Sequence, residues 1–177
     1  AELFEKAGHR VFWISRPASV LNLFQPHYGP WVQGALRGVK KTRGVLSLTP
    51  FTFLPYIRIF PFNTAFVGKH YLRFCIPPID SILKSHSFDT VDVLIISDPS
   101  LLYLTNIVHY KTLVVRIVDD LAGVPQQMRS ILALQHILIQ KADHVFVTSK
   151  ELFKYATSNK EVFRYFPNAV DFEYFTK

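Results

Sequence analysis

The chain has 177 residues, of which 49% are hydrophobic and 19% charged, with a formal net charge of +7. This is enough apolar content to bury a core and too little charge for a disordered segment. Its one cysteine, Cys75, excludes an internal disulfide and a thiolate metal site, and no apolar run reaches the length of a membrane span. The basic excess suits acidic partners such as anionic lipid or phosphorylated substrates. It is scattered, however, with one small cluster at Lys40, Lys41 and Arg43, and no stacking or finger motif accompanies it, so nucleic acid is not an expected partner.

Residues 1–8 read as the last turns of a helix, with Leu3, Phe4 and Ala7 on one face and Gly8 as its cap. With charges inside that pattern, the stretch is not expected to be a secretion signal. RVFWIS (10–15) follows as a strand, which makes a βαβ unit seen without its first strand. Residues 16–44, rich in proline and glycine, predict a long loop with a short helical piece. Val45–Thr49 is a strand stopped by Pro50. The segment FTFLPYIRIFPFNTAF (51–66) has two readings: an irregular stretch packing its rings on the sheet, or an exposed aromatic and basic surface with Arg58, Lys69 and Arg73 for a membrane interface.

Residues 67–86 predict a helix interrupted by Pro77-Pro78, with Ile79, Ile82 and Leu83 as its later apolar face. Val91–Ser97 is a strand expected to be buried on both faces. Asp98 caps the following helix, with Pro99 at its first position. Thr112–Leu121, TLVVRIVDDL, is the second such strand, ending in Asp119 and Asp120. Pro125 starts a longer helix with Met128, Ile131, Leu132, Leu138 and Ile139 on one face. A strand (144–149), a short helix (150–157), a strand (161–166) and an extended tail complete the chain. Alternating strands and helices predict an α/β fold, a doubly wound, mostly parallel sheet of Rossmann-like type.

In such sheets ligands sit beyond the carboxyl ends of the strands. Asp119 and Asp120 stand at that rim, where one carboxylate could take a proton from a substrate hydroxyl or orient a sugar; the plainer role is to cap the next turn and meet solvent. Asp98 and Ser149 end the neighbouring strands and could bind substrate, though both also suit helix capping. No G-x-G-x-x-G turn, Walker loop or G-x-S-x-G elbow is present. The seven histidines never fall at metal-ligand spacing on one helix with a carboxylate, so no metal is expected.

The ordered series VVRIVDDLAGVPQQ, Ala142-Asp143, a strand ending at Ser149, and Pro167-Asn168-Ala169-Val170-Asp171 with Phe175 resembles the N-terminal half of a GT-B fold glycosyltransferase. The likeness is to the family 4-like type of bacterial exopolysaccharide and teichuronic acid synthesis. It spans most of the chain but is patchy between residues 20 and 90. Ala169 stands where that family's linker signature (Pro167, Asn168, Asp171) has glycine, and Gln135-His136 stand where a Glu is common, so no role is carried over to them.

The resemblance implies that residues 1–166 form an acceptor-side domain and 167–177 begin a linker to a donor-binding domain beyond the chain. Asp119 or Asp120 would be the general base of an inverting transfer or the sugar-orienting group of a retaining one. The donor would be a nucleotide-sugar, which is a substrate and not a cofactor; no cofactor or metal is implied. The acceptor would be a hydroxyl compound, lipid-linked included, met by a cytoplasmic protein peripheral to the inner face of the plasma membrane. In the family's sheet, the absent first strand lies between RVFWIS and Val91–Ser97, so direct pairing of those two would contradict this topology. The rival expectations are a non-catalytic module docking on a membrane or partner through residues 50–75, and a Rossmann-like enzyme such as an epimerase.

Overall fold

The computed structural model describes residues 2–24, 29–124, 128–156 and 162–167. Its centre is a four-stranded, all-parallel sheet in the order β6-β7-β8-β9, made of Thr90–Ile96, His109–Ile117, His144–Val147 and Phe163–Tyr165. The connections carry α5 (Leu104–Ile107), α6 (Arg129–Lys141) and a 3-10 turn, Lys150–Tyr155. Strand β7 is the longest and is paired on both sides. Leu113, Val114 and Val115 are all buried, so both of its faces are covered, as its unbroken apolar run predicts.

Strand β6 departs from that expectation. Leu94 and Ile96 pack into the core, but Val93 and Ile95, on the opposite face, are 50% and 48% exposed. Strand β6 is an edge: its ladder is to β7 alone among the described residues. An apolar run therefore marked a strand correctly while overstating how much of it is covered.

The amino-terminal part forms separate small sheets. Strand β1 (Phe12–Ile14) pairs parallel with β4 (Val45–Leu48), which pairs antiparallel with β3 (Lys40–Thr42). Strand β1 makes no ladder with β6 among the described residues. The two strands are nonetheless pinned at both ends. Arg10 Nη2 donates to the His86 carbonyl at 3.0 Å and its guanidinium lies over the Phe88 ring, while Arg16 reaches Asp98 beyond the far end. The strands accordingly run in the same direction.

Residues 16–44 hold more structure than the expected loop: β2 (Ala18–Ser19) paired with β5 (Phe51–Thr52), a 3-10 turn, α2 (Gly29–Leu36), and the β3–β4 hairpin. That hairpin turns on Arg43 and Gly44, both at positive φ (48° and 82°), the conformation a two-residue turn requires. Arginine is an unusual first residue for such a turn, so the local sequence carries no hairpin signal. The expected helix over 67–86 is split into α3 (Ala65–His70), a 3-10 turn (Tyr71–Phe74) and α4 (Ile79–Ser85), separated at Pro77-Pro78. The helix expected after Asp98 is also shorter, a 3-10 turn followed by one turn of α5, because β7 begins already at His109.

Helix α6 buries Ile131, Leu134, Gln135 and Leu138 against the sheet, the i, i+3, i+4, i+7 stripe of a core-facing helix. The expected face, which included Met128, Leu132 and Ile139, is rotated: those three are only half-buried, and the stripe is centred on Leu134 and Gln135. Helix α3 crosses α6 closely because Gly68 has no side chain. A Cβ there would lie 2.8 Å from Leu134 Cδ1 and 2.7 Å from Tyr56 Cζ. Gly68→Ala is therefore expected to destabilise the fold. Overpacking costs about 1–3 kcal/mol and outweighs the gain in helix propensity of about 1 kcal/mol. Urea unfolding measures the difference, and a variant at least as stable as the parent would refute the close crossing.

Candidate functional site

The carboxyl ends of β6 and β7 open into a cavity of about 290 Å³, roofed by α6 and flanked by the segment after β1. Its polar lining comprises Arg16, Ser97, Asp98, Arg116, Asp119 and Gln135. Its apolar lining comes from Ile96, Val115 and Ile117 of the strands and from Ile131 and Leu138 of α6. The position follows from the parallel arrangement: each strand ends at the same edge, and the chain must leave it for a helix, so polar turn residues collect there.

Asp98 caps the 3-10 turn Pro99–Leu101, as its place before Pro99 predicts. Its Oδ1 accepts from the Ser100 amide at 2.9 Å and from Ser100 Oγ at 2.7 Å. Its Oδ2 accepts from Arg16 Nε at 2.8 Å and lies 2.7 Å from Arg16 Nη2. Both oxygens are thus engaged. Burial pulls the Arg16 pKa down, but the Asp98 charge and hydrogen bond outweigh it, and the pKa ends above its ordinary value. Beneath them burial pushes the Tyr71 phenol well above the usual tyrosine range, so it stays protonated.

The two carboxylates at the end of β7 part company. The strand stops at Ile117, so 118–120 is loop and Leu121–Gly123 a 3-10 turn, not strand as expected. Adjacent aspartates followed by Gly123 favour a turn, and the Leu121 amide indeed bonds the Asp119 carbonyl at 3.0 Å. Thr148 holds this departure in place, its amide donating to the Ile117 carbonyl at 3.2 Å and its hydroxyl to the Val118 carbonyl at 2.7 Å. Asp119 lines the cavity and is solvent-exposed. Asp120 turns away toward the segment after β8. It accepts hydrogen bonds from Lys154 Nζ and, at 2.6 Å, from Tyr155 Oη. The same Tyr155 oxygen accepts from the Ala122 amide at 3.4 Å.

Ser149 precedes the 3-10 turn Lys150–Tyr155 without a side-chain capping bond to it, and it does not line the cavity. Its hydroxyl instead pairs with Glu151, a contact that lowers the Glu151 pKa. Asp143 buttresses the sheet, its Oδ2 accepting from the Leu113 amide at 2.7 Å. Pro167 is exposed just after β9; Asn168 and Asp171 lie outside the described residues. Among the described residues no group of three or more His, Cys, Asp or Glu side chains converges as a metal site.

Arg16, Ser97, Arg116 and Gln135 join Asp98 and Asp119 in the polar lining without a local sequence signal for a site. Arg16 follows the RVFWIS strand and reaches the rim only because β1 runs alongside β6. Gln135, which stands where the resembling family commonly has Glu and to which no role is carried over, lies four residues after Ile131 and three before Leu138, on the buried stripe. The residue is 3% exposed, and among the described residues both of its amide atoms lack a hydrogen-bond partner.

No protein-family model matches the chain, and no curated protein matches it either.

The Asp120 contacts set a pH dependence. The Lys154 hydrogen bond, then the Tyr155 hydrogen bond, hold its carboxyl below the ordinary carboxylate value. A depressed carboxyl stabilises the fold above its unfolded pKa, and that contribution is lost as pH falls through the folded value. Lys154→Ala and Tyr155→Phe are each expected to raise the Asp120 pKa toward normal, with the larger rise from Lys154→Ala. Carboxyl-detected NMR titration reads this directly, and an unmoved Asp120 in both variants would refute the clamp.

Proposed function

We propose that the chain is the acceptor-side, Rossmann-like part of a GT-B type glycosyltransferase, which moves a sugar from a nucleotide-sugar donor to a hydroxyl acceptor in surface polysaccharide or glycolipid synthesis. The observation that carries this reading is the cavity at the carboxyl ends of two central parallel strands, lined by an exposed carboxylate, Asp119, and a bound one, Asp98. The series of sequence features that resembles this family runs through the same elements. Asp119 is the residue that accepts the acceptor proton in an inverting transfer or orients the donor sugar in a retaining one. Asp120 serves it by fixing the loop against Lys154 and Tyr155. Asp98, its oxygens taken up by Arg16 and Ser100, holds the Arg16 guanidinium at the cavity wall.

In the whole enzyme, Asp119→Asn is expected to slow sugar transfer by about 100- to 10,000-fold, the range for loss of a general base. Asp120→Asn is expected to slow it less. Release of nucleoside diphosphate from a labelled nucleotide-sugar panel measures both. Full activity in both variants overturns the assignment.

A second observation supports docking at a membrane by the same protein. Phe60 and Phe66 are 78% and 74% exposed, and Phe53, Ile59, Phe74 and Ile76 are exposed as well, with exposed Arg58, Lys69 and Arg73 among them in sequence. The aromatic segment is therefore largely a surface, although Leu54 and Tyr56 do reach the core. No helix among the described residues is long and apolar enough to cross a membrane. Aromatic side chains flanked by cations suit the interface of an anionic bilayer. Sedimentation with phosphatidylglycerol vesicles is expected to bring the chain down at low salt and to release it as salt rises. Equal partition to phosphatidylcholine vesicles, or no partition, would refute this surface as a lipid contact.

A further inference from the structure

We propose that a second cavity, walled by the 3-10 turn Tyr71–Phe74, the start of α4 and the segment before β7, takes the zwitterionic headgroup of phosphatidylethanolamine, with its phosphate on Arg73 and its ammonium on Asp80 and Tyr103. This rests on reading the aromatic segment as a membrane contact, and not on the transfer reaction.

This cavity measures about 210 Å³ and shares no lining residue with the one at the strand ends. Buried Leu72 and Ile79, with Pro78 and Ile107, make its apolar lining. Its polar groups are one guanidinium, Arg73, one carboxylate, Asp80, and one phenol, Tyr103. Among the described residues neither Arg73 nor Asp80 forms an ion pair, with each other or elsewhere. Opposite charges held in one cleft without meeting match a ligand that carries both signs. A lone phosphate would meet Arg73 but be repelled by Asp80, and a lone amine the reverse.

The lining also separates one zwitterion from another. A quaternary ammonium is recognised by a cage of several aromatic rings, and this cavity offers a single one, Tyr103. A primary ammonium carries N–H donors that a carboxylate and a phenolic oxygen can accept. Ethanolamine is therefore favoured over choline. The backbone explains why the ligand belongs to a lipid. Cys75 is buried, extended and bridged to Thr52, and the Ile76 amide donates to the Phe51 carbonyl at 2.8 Å. Side chains alternate along extended backbone, so with Cys75 turned inward its neighbours Phe74 and Ile76 are exposed. They stand between Arg73 and Asp80 in the chain, apolar groups for the acyl region beside a cleft of headgroup size.

The test is co-sedimentation of the full chain with vesicles of equal parts phosphatidylglycerol and phosphatidylethanolamine, against equal parts phosphatidylglycerol and phosphatidylcholine. The ethanolamine mixture is expected to bind about three- to tenfold more tightly, the range for a hydrogen bond to a charged group at an accessible site. Asp80→Asn is expected to lose this preference. It should bind the choline mixture at least as well as the parent, because a negative charge has gone from a surface that faces anionic lipid. Those two opposite effects separate the headgroup contact from general attraction, and the retained binding shows that the variant is folded. Free O-phosphoethanolamine at millimolar concentration is expected not to release the bound protein; full release would assign the site to the soluble compound and overturn the lipid source. Equal binding of the parent to both mixtures sinks the headgroup site and leaves the membrane contact standing. A preference that survives in Asp80→Asn makes it an effect of lipid packing, and a variant that binds neither mixture makes Asp80 a structural group; either overturns the site. Binding of the parent to neither mixture sinks the membrane contact itself, and the site with it.

Discussion

Strand β7 sets the terms for everything around it. It is hydrogen-bonded to a parallel neighbour on each side and buried on both faces through Leu113, Val114 and Val115. Such a position admits no unpaired charge, since a buried carboxylate would have to be neutralised or matched. The chain therefore keeps its two carboxylates until the strand has ended at Ile117 and the backbone can turn into solvent. Because β6 and β8 run parallel to β7, their ends arrive at the same edge. One run of apolar residues thus determines where polar groups gather and where a ligand can be held.

The edge is not symmetric. Asp98 and Asp120 are each committed to neighbours that order the local backbone, Arg16 with Ser100 in one case and Lys154 with Tyr155 in the other. Both pairings are solvent-accessible, and exposed ion pairs add little to stability. Their consequence is positional. Arg16 ties the end of β1 to the end of β6 although, among the described residues, no ladder joins the two strands. Tyr155 and Lys154 tie the loop after β7 to the turn after β8. Between these two ties Asp119 and Gln135 both line the cavity, Asp119 exposed and Gln135 buried.

Much of the architecture could be read from residue pattern. Strands β6, β7, β8 and β9, the Asp98–Pro99 helix start and the location of the rim all follow from apolar runs and capping chemistry. The reading failed where a local signal was atypical or absent. The Arg43-Gly44 turn lacks the usual asparagine or aspartate, the Gly68 crossing depends on residues from three different segments, and the half-exposed face of β6 depends on what does not pack there.

The site divides along the same line. Sequence by itself determined that carboxylates stand at the ends of buried parallel strands, because strand burial and turn propensity are properties of consecutive residues. It could not tell Asp119 from Asp120, which are neighbours in the chain with identical chemistry. Tertiary structure alone separates them, since the distinction comes from Lys154 and Tyr155, more than thirty residues later. It alone brings Arg16 to Asp98 across 82 positions and turns Gln135 inward under the strand ends. The physical reason is that a side chain's function here depends on its partners, and those partners are assembled by packing between elements that the local pattern does not relate.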